Sequence, residues 1–244
     1  MIKAIVTGHS RGLGAAVAAS LLAKDTKVLG IARAQNSELP GLYPDHFEQI
    51  ALDLSNMAAV TTWLESDVLD VWLADAQTVV LVNNAGVVEP IGPLNLQQVA
   101  AVATAVSLNV AAPLMLAAAI AARRRPGTEC RILHISSGAG RHVYPGWSVY
   151  CATKAALDHH ARAVVLDKTS GLRICSLAPG VIDTDMQAQI RATGLERFPV
   201  RERFDALKRD GGLSSAQDCA ARIVNHVLDS RFGELPVADL RELG

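Results

Sequence analysis

The chain predicts an α/β fold: a single doubly wound domain over residues 1–244, with a mostly parallel seven-stranded sheet and helices on both faces. Three observations carry this expectation. Short apolar runs alternate with helical patterns along the whole chain, as strands buried on both faces of a parallel sheet require. The first run leads directly into a glycine-rich turn and then a helix. No linker or internal repeat interrupts the alternation, and 244 residues with 50% hydrophobic content can fill one such core.

Residues 2–6 form the first strand. Thr7-Gly8-His9-Ser10-Arg11-Gly12-Leu13-Gly14 follows, and residues 15–24 read as a helix rich in Ala and Leu. Strand, glycine-rich turn and helix place backbone N–H groups and a helix N-terminus against a pyrophosphate. Glycine is needed because a Cβ would block close approach. The spacing is G-x-x-x-G-x-G rather than G-x-G-x-x-G. A glycine-rich helix entry without ligand is the alternative. The second strand, 27–32, ends in Ala32-Arg33, with no acid to bond a ribose 2′-hydroxyl. Arg33, with Arg11 in the turn, favours NADP over NAD, unless both are merely surface cations.

The third strand, 47–52, leads to Asp53-Leu54. Asp53 could accept from an adenine amino group, or cap an amphipathic stretch that begins at Ser55-Asn56 and runs to about Asp75. The fourth strand, 78–82, opens into Asn83-Asn84-Ala85-Gly86, whose small residues let a backbone approach a ligand. Residues 99–122 carry no charge and are long enough to cross a bilayer. Their Ala content, with Thr104, Ser107, Asn109 and Pro113, fits a buried or subunit-interface helix better. Asn109 needs partners inside so apolar a helix, so it is either satisfied by a local backbone group or placed for a purpose. The fifth strand, 131–135, delivers Ser136-Ser137 to the sheet edge where ligands bind in open α/β folds.

A helix over 149–168 carries Tyr150 and Lys154, four apart and so on one face. With three Tyr and six Lys in the chain, accident alone gives such a pair roughly one time in fourteen. A phenol ionises near pH 10; an adjacent ammonium is expected to lower that value, making a proton donor for a carbonyl oxygen. Ser137 could hold the same oxygen. The sixth strand, 172–177, ends in Ala178-Pro179-Gly180-Val181-Ile182-Asp183-Thr184-Asp185-Met186. Residues 183–213 read as a helical lid with glycine hinges and several arginines. A final helix spans 214–230, capped by Ser214 or Ser215, and the last strand is 234–240.

A net charge of −1 supplies no reason to expect nucleic acid or an anionic membrane as partner. Arg123-Arg124-Arg125 suits a solvated helix end. Cys130, Cys151, Cys175 and Cys219 form no C-x-x-C pair, and seven His show no H-x-x-x-H spacing. Reduced thiols, a cytoplasmic location and no metal site are expected.

In order, T-G-x-x-x-G-x-G at Thr7–Gly14, N-N-A-G at 83–86, Asn109, Ser137, Tyr150-x-x-x-Lys154 and Pro179-Gly180 before Thr184 resemble the short-chain dehydrogenase/reductase family over nearly the whole chain. Ser137-Gly138-Ala139-Gly140, Tyr144-Pro145-Gly146-Trp147 and Pro179 to Gln187 look nearest to its sepiapterin reductase and benzil reductase branch. The resemblance implies a Rossmann-type domain that takes NADP(H). It makes Tyr150 the general acid, Lys154 its tuner and ribose contact, Ser137 the polariser of the carbonyl, and Asn109 the holder of a relay water. It assigns the cofactor to Gly8, Ser10, Arg11, Gly12, Leu13, Gly14, Arg33, Asp53, Leu54, Asn84, Ala85, Gly86, Tyr150, Lys154, Pro179, Gly180, Ile182 and Thr184. Gly138, Tyr144, Trp147, Val181 and Met186 would touch substrate, although Tyr144 and Trp147 could equally be packing residues. His9 would meet the adenosine ribose or be exposed. Asp239 lies near where the branch has an acidic pterin anchor, without matching it cleanly.

These expectations amount to an NADPH-dependent reductase of small carbonyl compounds, vicinal diketones first, working as a homodimer or homotetramer. A 3-oxoacyl-carrier-protein reductase or an alcohol dehydrogenase is the alternative within enzymes, and an NADP-binding protein without catalysis is the alternative outside them.

Overall fold

The computed structural model describes residues 1–243. Strands β1 (Ile2–Thr7), β2 (Lys27–Ala32), β3 (Phe47–Ala51), β4 (Thr78–Asn83), β5 (Glu129–Ile135), β6 (Leu172–Ala178) and β7 (Val237–Asp239) form one sheet in the order β3-β2-β1-β4-β5-β6-β7. Every neighbouring pair is parallel, so the sheet is wholly rather than mostly parallel. The helices are α1 (Gly12–Leu22), α2 (Leu39–Leu42), α3 (Met57–Glu65), α4 (Val68–Leu73), α5 (Val99–Val106), α6 (Ala112–Arg123), α7 (Ser148–Leu166), α8 (Asp185–Ala192), α9 (Arg201–Arg209) and α10 (Ala216–Leu228).

Two layers cover the sheet because strand side chains alternate between its faces. In β4, Val80 and Val82 pack with Val17 and Leu21 of α1 and Ile223 and Val227 of α10. Val79 and Leu81 face the other way, toward Val60 of α3, Leu69 of α4, Leu116 of α6 and Ala161 of α7. Continuous apolar runs such as Val79–Val82 therefore have no exposed member. A third cluster, holding Val88, Ile91, Trp147, Ile190, Phe198 and Phe204, lies beyond the strand ends and supports α8 and α9. The strand order reverses between β1 and β4, which opens a crevice at their C-terminal ends.

Several boundaries differ from the sequence expectation, each for a local reason. The first helix starts at Gly12, not Ala15, because the glycine-rich turn feeds it directly. The stretch expected to be helical to Asp75 breaks at Ser66, whose hydroxyl donates to the Trp63 carbonyl at 2.6 Å and ends α3. Asn56 caps α3 by accepting from the Ala59 N–H at 3.1 Å. The uncharged 99–122 helix is interrupted by a wide π turn, Ser107–Ala111, before α6. It packs one side toward the sheet through Ala112, Leu116 and Ile120 and leaves Val99 and Val106 exposed. Ser215 is the cap of α10, accepting from the Asp218 N–H at 3.0 Å while its hydroxyl donates to the Asp218 carboxylate at 2.6 Å. The last strand keeps only Val237–Asp239.

His9 is the clearest misreading of a side chain's surroundings. It is neither exposed nor on the cleft: it is fully buried, edge-on to Phe47, with Nε2 2.9 Å from the Gln49 side-chain oxygen. The space it fills exists because Gly30 of β2 has no side chain; a Cβ there would lie 2.5 Å from the imidazole ring. Gly30→Ala should therefore destabilise the protein by about 1–3 kcal/mol, read as a lower midpoint of urea unfolding. His9→Ala combined with Gly30→Ala should recover part of that loss, a coupling that two independent sites would not show.

Candidate active site

A cleft of about 870 Å³ runs along the C-terminal edge of the sheet. Arg33 and Asp53, after β2 and β3, line one end; Tyr144, Met186 and Phe204 line the other. The residues expected to hold cofactor and substrate line this cleft, with Ser137, Tyr150 and Lys154 on its wall.

The glycine-rich turn is built to be close to its neighbours. Gly8 takes a φ of +70, and a Cβ there would stand 2.9 Å from the Asn84 amide nitrogen. A Cβ on Gly14 would stand 2.1 Å from the Gly8 carbonyl oxygen, so the turn can close only with glycine there. Thr7 locks the two turns together: its hydroxyl accepts from the N–H groups of Asn84 at 2.9 Å and Ala85 at 3.0 Å. The N-terminus of α1 has no side-chain cap and no acid in its first turn. Its free N–H groups face the cleft beside Gly12, where a Cβ would meet only the Thr184 methyl at 3.7 Å. Uncapped donors and an open cradle fit a dinucleotide pyrophosphate.

Arg33 is exposed at the cleft edge and makes no ion pair among the described residues. Arg11 differs from the expectation of a second free cation, because its guanidinium pairs with Asp185 of α8 at 3.0 Å across the cleft. Asp53 does not cap α3. Its carboxylate accepts from the Ser55 hydroxyl at 2.7 Å and the Ser55 N–H at 2.9 Å, bonds that hold it below the usual carboxylate range.

Tyr150 and Lys154 are successive on one face of α7, and both are buried. The Lys154 ammonium donates to the Ile135 carbonyl at 2.8 Å and lies 5.7 Å from the centre of the Tyr150 ring. Burial pushes Lys154 down to about 8, against the pull of the Asp158 carboxylate. A lowered phenol was expected; the phenol is instead raised to about 12, because burial outweighs the hydrogen bond from the Ser137 side. At neutral pH Tyr150 thus keeps its proton and Lys154 its charge. Ser137 starts a tight turn over Gly138–Gly140, its hydroxyl oxygen accepting from the Ala139 N–H at 3.2 Å. A phenol and a hydroxyl at one cleft wall can both reach a carbonyl oxygen.

Asn109 is not on the cleft wall. Its amide oxygen accepts from the Val87 N–H at 2.9 Å, and its amide nitrogen donates to the Val87 carbonyl at 2.8 Å and the Thr153 hydroxyl at 3.2 Å. Both amide protons are used, so the side chain is a strut between the π turn and the loop after β4. Of the two sequence expectations for this amide, satisfaction by backbone or placement for a purpose, the structure shows the first: Val87 and Thr153 take both amide protons.

Trp147 is both wall and core: it lines the cleft and stacks on Phe198, with centroids 4.6 Å apart. Tyr144 packs edge-on against it. Most lid arginines are engaged: Arg197 donates to the Ile91 carbonyl at 3.0 Å, Arg201 pairs with Asp205 at 3.2 Å, and Arg209 pairs with Asp210 at 3.0 Å. Arg203 lies over the Tyr144 ring at 5.9 Å. Sequence reasoning missed Phe204 and Leu207 of α9 and Arg241 on the cleft wall. The i, i+3 spacing of Phe204 and Leu207 was a usable signal. Arg241 had none: only folding brings it to 3.7 Å from where a Gly180 Cβ would lie, held by Asp239 at 2.6 Å. Asp239 itself is buried behind that arginine and is absent from the wall.

The sequence profile of the short chain dehydrogenases matches residues 3–194. The chain belongs to the short-chain dehydrogenase/reductase family and is an oxidoreductase of the kind that uses a nicotinamide cofactor. Among its relatives, a Bacillus cereus benzil reductase of the (S)-benzoin-forming type is 34% identical over 98% of this chain and 98% of its own. Sepiapterin reductase of Mus musculus is 32% identical, covering 93% of this chain and 92% of its own. The crystal structure of a short-chain dehydrogenase/reductase from Burkholderia vietnamiensis shares 47% identity, with a TM-score of 0.73, covering 100% of this chain and 98% of that one.

Asn109→Ala removes three hydrogen bonds and leaves Val87 unsatisfied. It should cost about 2–4 kcal/mol in stability, measured by denaturant unfolding.

Proposed function

We propose that the protein is an NADPH-dependent carbonyl reductase acting on vicinal diketones of the benzil type. The observation that carries this reading is the buried Tyr150–Lys154 pair beside Ser137, opening on the same cleft as the uncapped α1 N-terminus. NADPH supplies the hydride when bound. Arg33, unpaired at the cleft edge, would hold the 2′-phosphate. The α1 N-terminus and Gly12 would take the pyrophosphate, with Ser10 and Leu13 beside it. Leu54 and Asp53 would flank the adenine, and Asn84, Ala85 and Gly86 the adjoining ribose. Ile182 and Thr184 after Gly180 would meet the carboxamide.

Ser137 donates to the substrate carbonyl and orients it. Tyr150, protonated at neutral pH, gives its proton to that oxygen as the carbon is reduced. The Lys154 ammonium stabilises the phenolate left behind, a charge interaction worth more in a dry site than in water. Reprotonation from solvent restores the phenol. Gly138, Tyr144, Trp147, Val181 and Met186 shape the substrate end, whose apolar and aromatic walls suit an aryl diketone. The ion pairs of Arg201 with Asp205 and of Arg209 with Asp210 reduce the free basic patch that an acyl-carrier-protein partner would need, which supports diketones.

Residues 183–213 form the lid of a single domain spanning 1–244. Exposed Val99, Val106, Val165 and Leu166 on α5 and α7 support a homodimer or homotetramer closed over these helices. Four free cysteines fit a cytoplasmic location.

Tyr150→Phe should reduce kcat for benzil at least about a hundredfold in an assay of NADPH consumption; undiminished turnover would sink the mechanism. Arg33→Asp should weaken NADPH by about tenfold or more and NADH far less; equal loss for both cofactors would remove the 2′-phosphate assignment. Lys154 is charged below its pKa of about 8 and neutral above it. Reduction should therefore decline as pH rises through about 8, while a flat profile from pH 7 to 9.5 would contradict the role given to the ammonium.

A further inference from the structure

One buried carboxylate near the cleft is left unused by that mechanism. Asp158 follows Tyr150 and Lys154 at the next helical repeat of α7, so the three side chains line one face. It is 1% exposed. One carboxylate oxygen accepts from the Ser136 hydroxyl of the β5 end and the Ser176 hydroxyl of β6, both at 2.7 Å. The other accepts from Arg141 Nε at 3.2 Å, and Arg141 Nη2 donates to the Ala238 carbonyl of β7 at 2.8 Å. Four elements thus meet around one buried carboxylate, which is bonded to the residue before Ser137. Gly140 keeps the approach open, since a Cβ there would lie 3.0 Å from the Asp158 carboxylate and 3.1 Å from the Lys154 carbonyl oxygen.

We propose that Asp158 is a positioning residue of the reaction: its carboxylate is the buried counter-charge that keeps the Lys154 ammonium protonated, and its hydrogen bonds hold the Ser136–Arg141 turn that presents Ser137. A carboxylate so deeply buried needs a function or a full set of partners to persist. Its partners explain why it is tolerated. Its place one turn from the ammonium is what its function requires.

The other groups around it do not substitute for it. On α7, Tyr150 stays protonated to about 12 and His160 is lowered by burial. On β5, His134 is pushed down to about 3; on β6, Cys175 is raised to about 12. All four are neutral at neutral pH. Asp239 on β7 is held by Arg241 at 2.6 Å. Arg141 is the one facing cation, and it draws on the same carboxylate.

This inference rests on the carbonyl reductase reading, and two substitutions of opposite sign test it. Asp158→Asn keeps the shape and an acceptor for the two serines but removes the charge. The alkaline limb of benzil reduction should move down by about one pH unit or more. Arg141→Gln removes the competing cation, and the limb should move up. A merely structural role would lower the melting temperature of both variants and leave both limbs where the parent has them. If Asp158→Asn fails to fold, the Arg141→Gln limb still decides: an unmoved limb or a downward shift overturns the proposal and an upward one supports it. Failure of the parent enzyme to reduce any carbonyl with NADPH would sink the underlying reading. A working parent with an unmoved Asp158→Asn limb would sink this inference alone.

Discussion

The ammonium of Lys154 has left water almost completely, and taking an ion out of water costs several kcal/mol even after relaxation. That cost sets terms for the surrounding structure. The charge needs an acceptor, which is the Ile135 carbonyl at the end of β5. The proposed counter-charge is Asp158, next on the same helix face. Both requirements place α7 across the C-terminal ends of β5 and β6, and a parallel sheet is the arrangement that brings those ends to one edge.

The same edge collects every other part of the cleft. The turn after β1 and the turn after β4 are stitched by the Thr7 hydroxyl, and Gly8 and Gly14 permit a backbone approach that no larger residue allows. The lid is held differently. Its residues form a cluster of their own around Trp147 and Phe198 rather than joining either layer over the sheet. Gly146 marks the seam: the Gly92 N–H donates to its carbonyl at 2.8 Å, and a Cβ on it would stand 2.3 Å from the Arg197 carbonyl oxygen. The two ends of the cleft therefore rest on separately packed supports.

Burial decides the protonation of the phenol: raised to about 12, it keeps its proton at neutral pH. Lowering that phenol by the ammonium alone was the expectation from spacing. Spacing carries no information on how dry the pair would be, and dryness is the larger effect here.

Strand positions, the glycine-rich turn, the parallel doubly wound class and the Ser137–Tyr150–Lys154 set were legible from residue order. Each depends on local periodicity or on short spacing, which the chain states directly. What needed the tertiary structure depends on residues far apart in the chain. His9 looks like a turn residue until Gly30 is seen to make room for it. Asn109 looks placed for a ligand until Val87 and Thr153 take up its amide protons. Arg11 looks free until α8 brings Asp185 to it, and Asp158 looks like one more helix acid until β5, β6 and Arg141 close around it. The sequence alone determined which chemistry the chain carries, because that is a matter of residue types at fixed intervals. Only the folded chain decided which polar groups are already satisfied and which still face the cleft, because hydrogen bonds and burial are settled by neighbours that the order of residues does not name.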